Sequence, residues 1–275
     1  MSIITNKIAN FIKNKKFKND FDRNNFDIFV SNFFLEISHL DFVNYSDEDL
    51  FNAAISGFNF LQNRNLNQSK IRIFNPSLDN NGFDSRFTFI EIVNKDIPFL
   101  VDSIVGYLDK NSVEIENVIH PTYKITRKED GSIDKISFSN KERNESFIQL
   151  HINKINNEIE IKDFANGLSQ LIETINLVVN DWPKMLEMIK GSLINIDNIA
   201  NFVKNDSYIS EIKDFISWVI DGNFVLLGIK EFDIKKDKDK YVLNGVDNGD
   251  LGIFSSPHDE MRPGVINSKI GRAHV

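Results

Sequence analysis

The hydrophobic pattern changes its period twice between Arg86 and Thr126. Apolar residues first crowd into a short run that is typical of a strand, Phe87, Phe89, Ile90, Ile92 and Val93. They then recur every three or four residues, as on one face of a helix, at Leu100, Val101, Ile104, Val105 and Leu108. Strand-like spacing returns with Val113, Ile115, Val118, Ile119, Tyr123 and Ile125. The stretch therefore predicts a strand, a helix and a second strand.

The segment before this stretch shows helical spacing. A buried helical stripe is predicted from Phe26 onward, at Phe26, Phe29, Val30, Phe33, Phe34 and Ile37. Ser46 followed by Asp49 has the composition of a helix cap, and an apolar helix is predicted to follow it. Ile71 to Phe74 predicts a short strand. Residues 1 to about 75 are therefore expected to be mainly helical.

The segment after it adds strands and helices. Asp130-Gly131 is a hairpin signal, and Pro183 predicts a break in a helix or the start of another. The predicted elements are a strand at Ile133–Phe138, a strand at Ser146–Ile152, a helix from Ile159 to about Lys190, a helix at Tyr208–Ile220, a strand at Asn223–Ile234 and, after a charged turn, a strand at Tyr241–Val246.

The order of these elements predicts the fold class. From Arg86 onward the chain reads as strand, helix, strand, hairpin strand, strand, helix and finally a strand at Asn223–Ile234. This approximates the βαββαβ layout of a ferredoxin-like sandwich, one sheet with helices on one face. The expected fold is α+β, with the N-terminal helical segment packed on the sandwich and additional helices.

Net charge, cysteine content and the length of apolar runs limit the partners and the compartment that we expect for this chain. The 275 residues carry a formal net charge of −8, which argues against a nucleic-acid binder. The absence of cysteine excludes disulfides and thiolate sites and favours a reducing compartment, the cytoplasm. No apolar run approaches the roughly 20 residues that span a membrane. An amphipathic N-terminal helix around Ile8 and Phe11 is expected to pack on its own protein; a helix that binds a membrane surface or a partner is the alternative.

Motifs for catalysis are missing from the sequence. None of the glycine-rich nucleotide-binding patterns or the nucleophile-elbow pattern occurs. The five histidines show no metal-ligand spacing, so no metal site is expected. His120 precedes Pro121 inside a strand run, and we interpret it as a bend residue rather than a ligand contact.

The turn Asn94–Phe99 is the candidate binding site. A helix that starts at Pro98, with Asp96 at its cap, would expose backbone N–H groups that suit a carboxylate. Asp96 and Asp102 could then meet the amino group of a zwitterion. The alternative is that Asp96 only caps the helix and Asp102 only faces solvent. The candidate effector-binding residues are Asn94, Asp96, Ile97, Pro98, Phe99 and Asp102.

The run from Asp96 to Ser103 resembles the D-x-P-F-L-V-D-S signature of the large bacterial NAD-specific glutamate dehydrogenases. Other pieces follow in the order of that family between residues 20 and 255: Asp49-Leu50-Phe51, residues 71–76, His120-Pro121, Glu145-Ser146-Phe147, Trp182 with Met185, Phe224 with Leu227-Gly228, and Leu251-Gly252-Ile253. Lys95, Val225 and Lys230 depart from residues that are common in the family.

The resemblance implies a fold and a function. The family converts L-glutamate, NAD and water to 2-oxoglutarate, ammonium and NADH, and its N-terminal part holds ACT-type domains, which are ferredoxin-like. The chain is thus expected to be a non-catalytic regulatory or structural region without a cofactor of its own, while the parent enzyme uses NAD. The implied partners are the downstream dehydrogenase region, further copies of the chain and an amino-acid effector. The alternative is a stand-alone ACT-type amino-acid-binding or oligomerisation module.

The expected organisation has four parts. An N-terminal helical segment covers residues 1–75, an ACT-like domain with a helical insertion covers 83–234, and the incomplete start of a further segment covers 235–269. Residues 270–275 resemble the translation of a sequencing-adapter oligonucleotide and are expected not to be biological. Ser256 to Val275 are expected to lack a packed core of their own.

Overall fold

The computed structural model describes residues 3–17, 20–35, 45–137, 142–200, 206–237, 240–246 and 249–258. The chain divides into two compact units, Met1–Glu173 and Thr174–Val275. The predictions for Ile37, for Phe138 and for residues 259–275, including the adapter-like segment, lie outside the described residues.

The first unit combines helices with one large sheet. Its helices are α1 (Ile3–Asn14), α2 (Asp20–Phe33), α3 (Asp47–Leu61), α4 (Leu78–Asn81), α5 (Leu100–Lys110) and the start of α6 (Glu158–Ala200). Its strands are β1 (Lys70–Phe74), β2 (Phe87–Lys95), β3 (Ile115–Ile119), β4 (Thr122–Arg127), β5 (Ile133–Ser137) and β6 (Glu145–Asn153).

Strands β2 and β6 form the centre of the sheet. They pair antiparallel along their whole length, from Phe87 opposite Asn153 to Lys95 opposite Glu145. Strand β1 pairs with the other edge of β2, while β3 and β4 both pair with β6 and β5 pairs with β4. The predicted second strand is thus broken at His120-Pro121, which confirms His120 as a bend residue.

The α+β class and the ACT-like sheet are confirmed, but one strand was misplaced. Asn223–Ile234 was predicted to complete the sandwich, and that is wrong, because this segment does not form one strand and does not pair with this sheet. The outer position beside β2 is occupied by β1 instead. A hydrophobic pattern identifies a strand but does not show which strand it pairs with. The strand β1 was therefore predicted, but its position in the sheet was not.

One face of the sheet packs against the N-terminal helices, in agreement with the predicted stripe on α2. Phe29 of α2 lies at the centre of this core. Its ring centroid is 5.5 Å from those of Tyr123 and Phe147 and 5.6 Å from that of Phe58 on α3. The Tyr123 hydroxyl donates to the Phe29 carbonyl at 3.0 Å. Helices α2 and α3 and the sheet therefore share one aromatic core.

The opposite face of β2 and β6 is equally buried. It carries Ile90, Ile92, Ile148, Leu150 and Ile152, all fully inaccessible. The crossover helix α5 joins β2 to β3 and buries one stripe of side chains, Leu100, Ile104 and Leu108. Tyr107 of α5 meets Phe164 of α6 with ring centroids 5.4 Å apart. A crossover helix lies over one face of its sheet, so α5 covers this side and the start of α6 contacts α5.

Two local predictions are confirmed in the turns. Ser46 and Asp49 form a reciprocal capping box at the start of α3. Asp130-Gly131 lies in the hairpin between β4 and β5, where Gly131 has a φ of 80°. A side chain at Gly131 would begin 2.3 Å from the Arg64 carbonyl oxygen. Only glycine therefore fits this approach of the hairpin to the loop after α3.

Helix α6 continues through Pro183 to Ala200, so the predicted break at Pro183 is wrong. The second unit further contains α7 (Asp206–Trp218), a π-helical turn (Val219–Asn223), β7 (Gly228–Ile229), β8 (Phe232–Asp237), β9 (Lys240–Gly245), β10 (Leu251–Gly252) and a 3-10 turn (Ile253–Ser255). The predicted returning strand is confirmed as β9, which pairs with β8, although β8 extends to Asp237, into the predicted charged turn.

The end of the second unit is tied to α6. Asp181 accepts a hydrogen bond from the Gly252 N–H at 2.8 Å, and the hydroxyls of Thr174 and Ser256 lie 3.0 Å apart. Ser256 is completely buried. Ser256, the first residue of the segment predicted to lack a packed core of its own, is therefore packed within this unit, while Pro257 is exposed and residues 259–275 lie outside the described residues. No helix among the described residues is long and apolar enough to cross a membrane.

Candidate functional site

The predicted turn differs from expectation in where its helix begins. Helix α5 starts at Leu100 rather than Pro98, and Phe99, at a φ of 66°, precedes it without a side-chain cap. Asp96 does not cap the helix; its Oδ1 accepts a hydrogen bond from the Ser146 hydroxyl at 2.8 Å. Because β2 keeps pairing with β6 as far as Lys95, too few residues remain to start the helix at Pro98.

The six predicted residues fall into two groups. Asp96 and Ile97 line a cleft with a volume of about 690 Å³ at this end of the sheet. Asn94, Pro98, Phe99 and Asp102 do not line it. Asn94 is buried, and its side-chain amide donates to the Lys95 carbonyl, whereas Asp102 is exposed in the first turn of α5.

The cleft lies where β2 ends and β6 begins. Its walls come from the loop after α3, from the ends of β2 and β4, and from the connection before β6. Its charged lining consists of Arg64, Lys95, Arg127 and Arg143 together with Asp96 and Glu145. Four cations against two carboxylates leave two positive charges, in a chain whose formal net charge is −8. A locally positive cleft attracts anions.

Three buried side chains form the base of the cleft. Arg127 contacts both carboxylate oxygens of Glu145, with Nε at 2.8 Å from Oε1 and a terminal nitrogen at 2.8 Å from Oε2. Arg64 reaches Oε1 at 3.0 Å. All three side chains are at most 4% exposed. Paired, charge-assisted contacts of this kind fix geometry strongly.

The two arginines also hold the loop after α3. Arg64 donates to the carbonyls of Asn65, Leu66 and Gln68, and Arg127 donates to those of Leu61, Gln62 and Gly131. Arg64 Nε is buried without a hydrogen-bond partner among the described residues. Hydrogen bonds thus hold the base of the cleft in place, and the exposed Lys95, Asp96 and Arg143 form its accessible part.

Sequence reasoning missed Arg64 and Arg127. Arg64 stands in an asparagine-rich loop, and it lies 81 residues from Glu145 in the chain. A hydrophobic pattern carries no signal for a polar contact between segments so far apart. Glu145 was noted only as part of a family motif. No local pattern marks the cluster, because Arg64 lies in a loop, while Arg127 ends β4 and Glu145 begins β6, each beside polar residues.

Comparison with known proteins agrees with this architecture. The profile of the family described as "Glutamate dehydrogenase, ACT1 domain" matches residues 29–168, which is half of the chain. The chain belongs to this family. The matched region extends from α2 into α6 and includes every residue that lines the cleft.

Two curated relatives of this ACT1-family chain are both described as NAD-specific glutamate dehydrogenases. An NAD-specific glutamate dehydrogenase of Halomonas elongata is 23% identical over 232 residues, 83% of this chain and 14% of the relative. An NAD-specific glutamate dehydrogenase of Pseudomonas aeruginosa is 23% identical over 216 residues, 77% of this chain and 13% of the relative. The chain thus spans about a seventh of the length of these relatives.

A second polar cluster crosses the sheet of the ACT1 region. Glu91 Oε2 accepts from Arg72 Nε at 3.1 Å, Gln149 donates to Glu91 Oε1 at 2.8 Å, and His151 Nε2 lies 3.1 Å from Gln149 Oε1. Burial raises the pKa of Glu91, while Arg72 opposes that rise. Burial also lowers the pKa of His151 to about 3. Glu91, Gln149 and His151 are buried on the face that packs against the N-terminal helices, and Arg72, whose side chain is 31% exposed, connects the cluster to the surface.

Proposed function

We propose that the chain is the non-catalytic N-terminal region of an NAD-dependent glutamate dehydrogenase. The parent enzyme would convert L-glutamate, NAD and water to 2-oxoglutarate, ammonium and NADH. The observation that carries this proposal is the match to the ACT1 domain, together with two relatives named as NAD-specific glutamate dehydrogenases. The dehydrogenase region, which would bind NAD, would correspond to the part of those relatives that this chain does not cover.

The proposal has a direct assay. The purified 275-residue chain should produce no glutamate-dependent NADH, while the protein encoded by the complete reading frame should do so. NADH production by the chain alone would contradict the non-catalytic assignment. A complete protein without this activity would contradict the parent enzyme.

Within this region, the cleft is the part that best supports a regulatory role. An amino-acid zwitterion carries a carboxylate and an ammonium group at a short separation. Arg143 and Lys95 can receive the carboxylate, and Asp96 can receive the ammonium group. Hydrogen bonds to charged groups contribute about 1.5–3 kcal/mol each. The buried base formed by Arg64, Glu145 and Arg127 would keep these walls in place.

Calorimetric titration of the chain with a panel of amino acids tests the effector site. We expect Asp96→Asn, which keeps an acceptor for the Ser146 hydroxyl, to weaken binding about tenfold or more. Arg143→Gln should have a similar effect. Asp102→Asn is the matched control, because Asp102 is exposed and does not line the cleft; it should leave affinity unchanged. An absence of binding heat for every amino acid would refute the effector site.

A purely structural role is the second candidate, favoured by the position of β1. Strand β1 forms one end of the sheet and pairs with β2 alone among the described strands. Unpaired strand edges are templates for pairing with another chain. This role predicts that the chain forms homo-oligomers without any ligand. Sedimentation that shows a monomer over the micromolar range would argue against it.

A further inference from the structure

Three aromatic side chains form an exposed cluster in the second unit. Phe215 and Trp218 lie on α7, and Phe224 follows the π-helical turn. Their ring centroids are 6.1 Å apart for Phe215 and Trp218 and 6.4 Å apart for Trp218 and Phe224. The three residues are 59%, 47% and 52% exposed. Together with the exposed Val225 and Leu227 we call them the aromatic patch.

The backbone builds this arrangement. Gly222 has a φ of 85°, which reverses the chain after the turn, and the Asn223 side chain donates to the Trp218 carbonyl at 3.0 Å. This reversal returns Phe224 to the Trp218 ring. Isolated exposed apolar residues are normal on a protein surface. Three rings that are half open to solvent, with Trp218 in contact with each of the other two, instead mark a contact surface.

We propose that the aromatic patch is the docking surface for the remainder of the same, longer polypeptide. This inference rests on the proposed function, in which the chain is one region of a large dehydrogenase. The chain covers only 13–14% of its relatives, so most of such a polypeptide is available as a partner. Tryptophan and phenylalanine are the residues that anchor interfaces.

The area of the patch favours this occupant over a second copy. An aromatic side chain can bury about 150–250 Å². Since each ring is about half exposed, the three rings offer roughly 300 Å², and Val225 and Leu227 add only two smaller, half-exposed side chains. An independent, stable interface needs about 800 Å² per partner. A covalently attached partner needs less, because the tether gives it an effective concentration in the millimolar range.

The charges beside the patch define the chemistry of the partner surface. Glu211, Asp214 and Asp221 are exposed on α7 and the π-helical turn. Glu211 lies one helical turn before Phe215, and Asp214 lies one turn before Trp218. The rim is therefore acidic. The docking region should present apolar side chains bordered by lysine or arginine.

Thiol labelling tests the docking surface. The chain has no cysteine, so Phe215→Cys introduces a single thiol on the patch. Leu78→Cys is the matched control, since Leu78 is 62% exposed on α4 in the first unit. Both thiols should react rapidly with a maleimide in the isolated chain. In the complete enzyme, peptide-resolved mass spectrometry should show Phe215→Cys slowed at least tenfold and Leu78→Cys unchanged.

Each outcome of the labelling decides the proposal. Equal reactivity of Phe215→Cys in the chain and in the complete enzyme would overturn it. Protection in the isolated chain would also overturn it: with a dimer in sedimentation the occupant is a second copy, and with a monomer the chain covers its own patch. Glutamate-dependent NADH formation by the complete protein is measured separately, so failure of the parent assignment is distinguishable from failure of docking.

A second measurement does not depend on a cysteine variant. The isolated chain, added to an enzyme that lacks these residues, should bind it in pull-down and sedimentation experiments. Trp218→Ser should weaken this association at least tenfold, whereas Leu78→Ser should not change it. Binding that is indifferent to Trp218→Ser would reject the patch as the contact surface.

Discussion

Glu145 balances two buried guanidinium groups, those of Arg64 and Arg127. Glu145→Gln keeps the shape of the side chain but leaves both arginines without a carboxylate. Removing one partner of a buried ion pair costs about 3–5 kcal/mol. We therefore expect the urea midpoint of unfolding to fall strongly.

The exposed pair of Glu116 and Arg86, separated by 3.7 Å, provides the control. Glu116→Gln should change the free energy of unfolding by less than about 1 kcal/mol. Equal effects of the two substitutions would show that the buried cluster does not stabilise the cleft.

His151 gives the fold a specific dependence on pH. Burial keeps its pKa at about 3 in the folded protein, below the ordinary 6.5. Between these values the unfolded chain binds the extra proton, so stability falls as pH decreases from about 6.5 towards 3, by at most about 1.4 kcal/mol per pH unit. The contribution is complete above pH 6.5.

His151→Gln should remove this part of the dependence, as measured by urea unfolding between about pH 4.5 and 7. Glu91 acts in the opposite direction, because its raised pKa means that the folded state holds its proton to higher pH. The difference between wild type and variant isolates His151. Parallel stability profiles for the two proteins would contradict a neutral, buried imidazole.

At the scale of elements, replacement of two glycines by alanine should change stability in opposite directions. A methyl group added at Gly106 in α5 would meet no atom of the described residues within 4 Å beyond the adjoining turns of its own helix, whereas Gly131 has a φ of 80° and a methyl group there would lie 2.3 Å from the Arg64 carbonyl oxygen. Gly106→Ala should stabilise the protein by about 0.5–1 kcal/mol. Gly131→Ala should destabilise it by more than about 2 kcal/mol, through strain and collision. Thermal unfolding of both variants measures the contrast, and a loss of stability in Gly106→Ala would contradict the open helix face.

The elements that were predicted correctly have local causes. The capping box at Ser46, the hairpin at Asp130-Gly131 and the stripe on α2 each depend on residues within a few positions of one another. The start of α5 was misplaced because pairing between β2 and β6, which is set by residues far along the chain, keeps the backbone extended to Lys95. The cleft itself was not predicted: two of its lining residues, Asp96 and Ile97, were candidates because they are local to the turn, whereas its arginines come from distant segments.

At the scale of the whole molecule, the N-terminal helices and the sheet belong to one unit, Met1–Glu173. We expect a chain that starts at Phe83 to aggregate, because it lacks β1 and the helices that cover Val93, Phe147 and Tyr123. Residues 1–173 alone should unfold in a single cooperative transition, monitored by circular dichroism. A folded, soluble protein from residue 83 onward would instead support a domain boundary between residues 75 and 83.

The unusual origin of β1 has a consequence for synthesis on the ribosome. In the usual βαββαβ order, the outer strand beside the first strand is made last, after the second helix. Here β1 is made first, and every strand of the sheet lies between Lys70 and Asn153. The nascent chain can therefore close its sheet before α6 leaves the exit tunnel. Early closure shortens the time during which the edges of β2 and β6 are unpaired and open to aggregation.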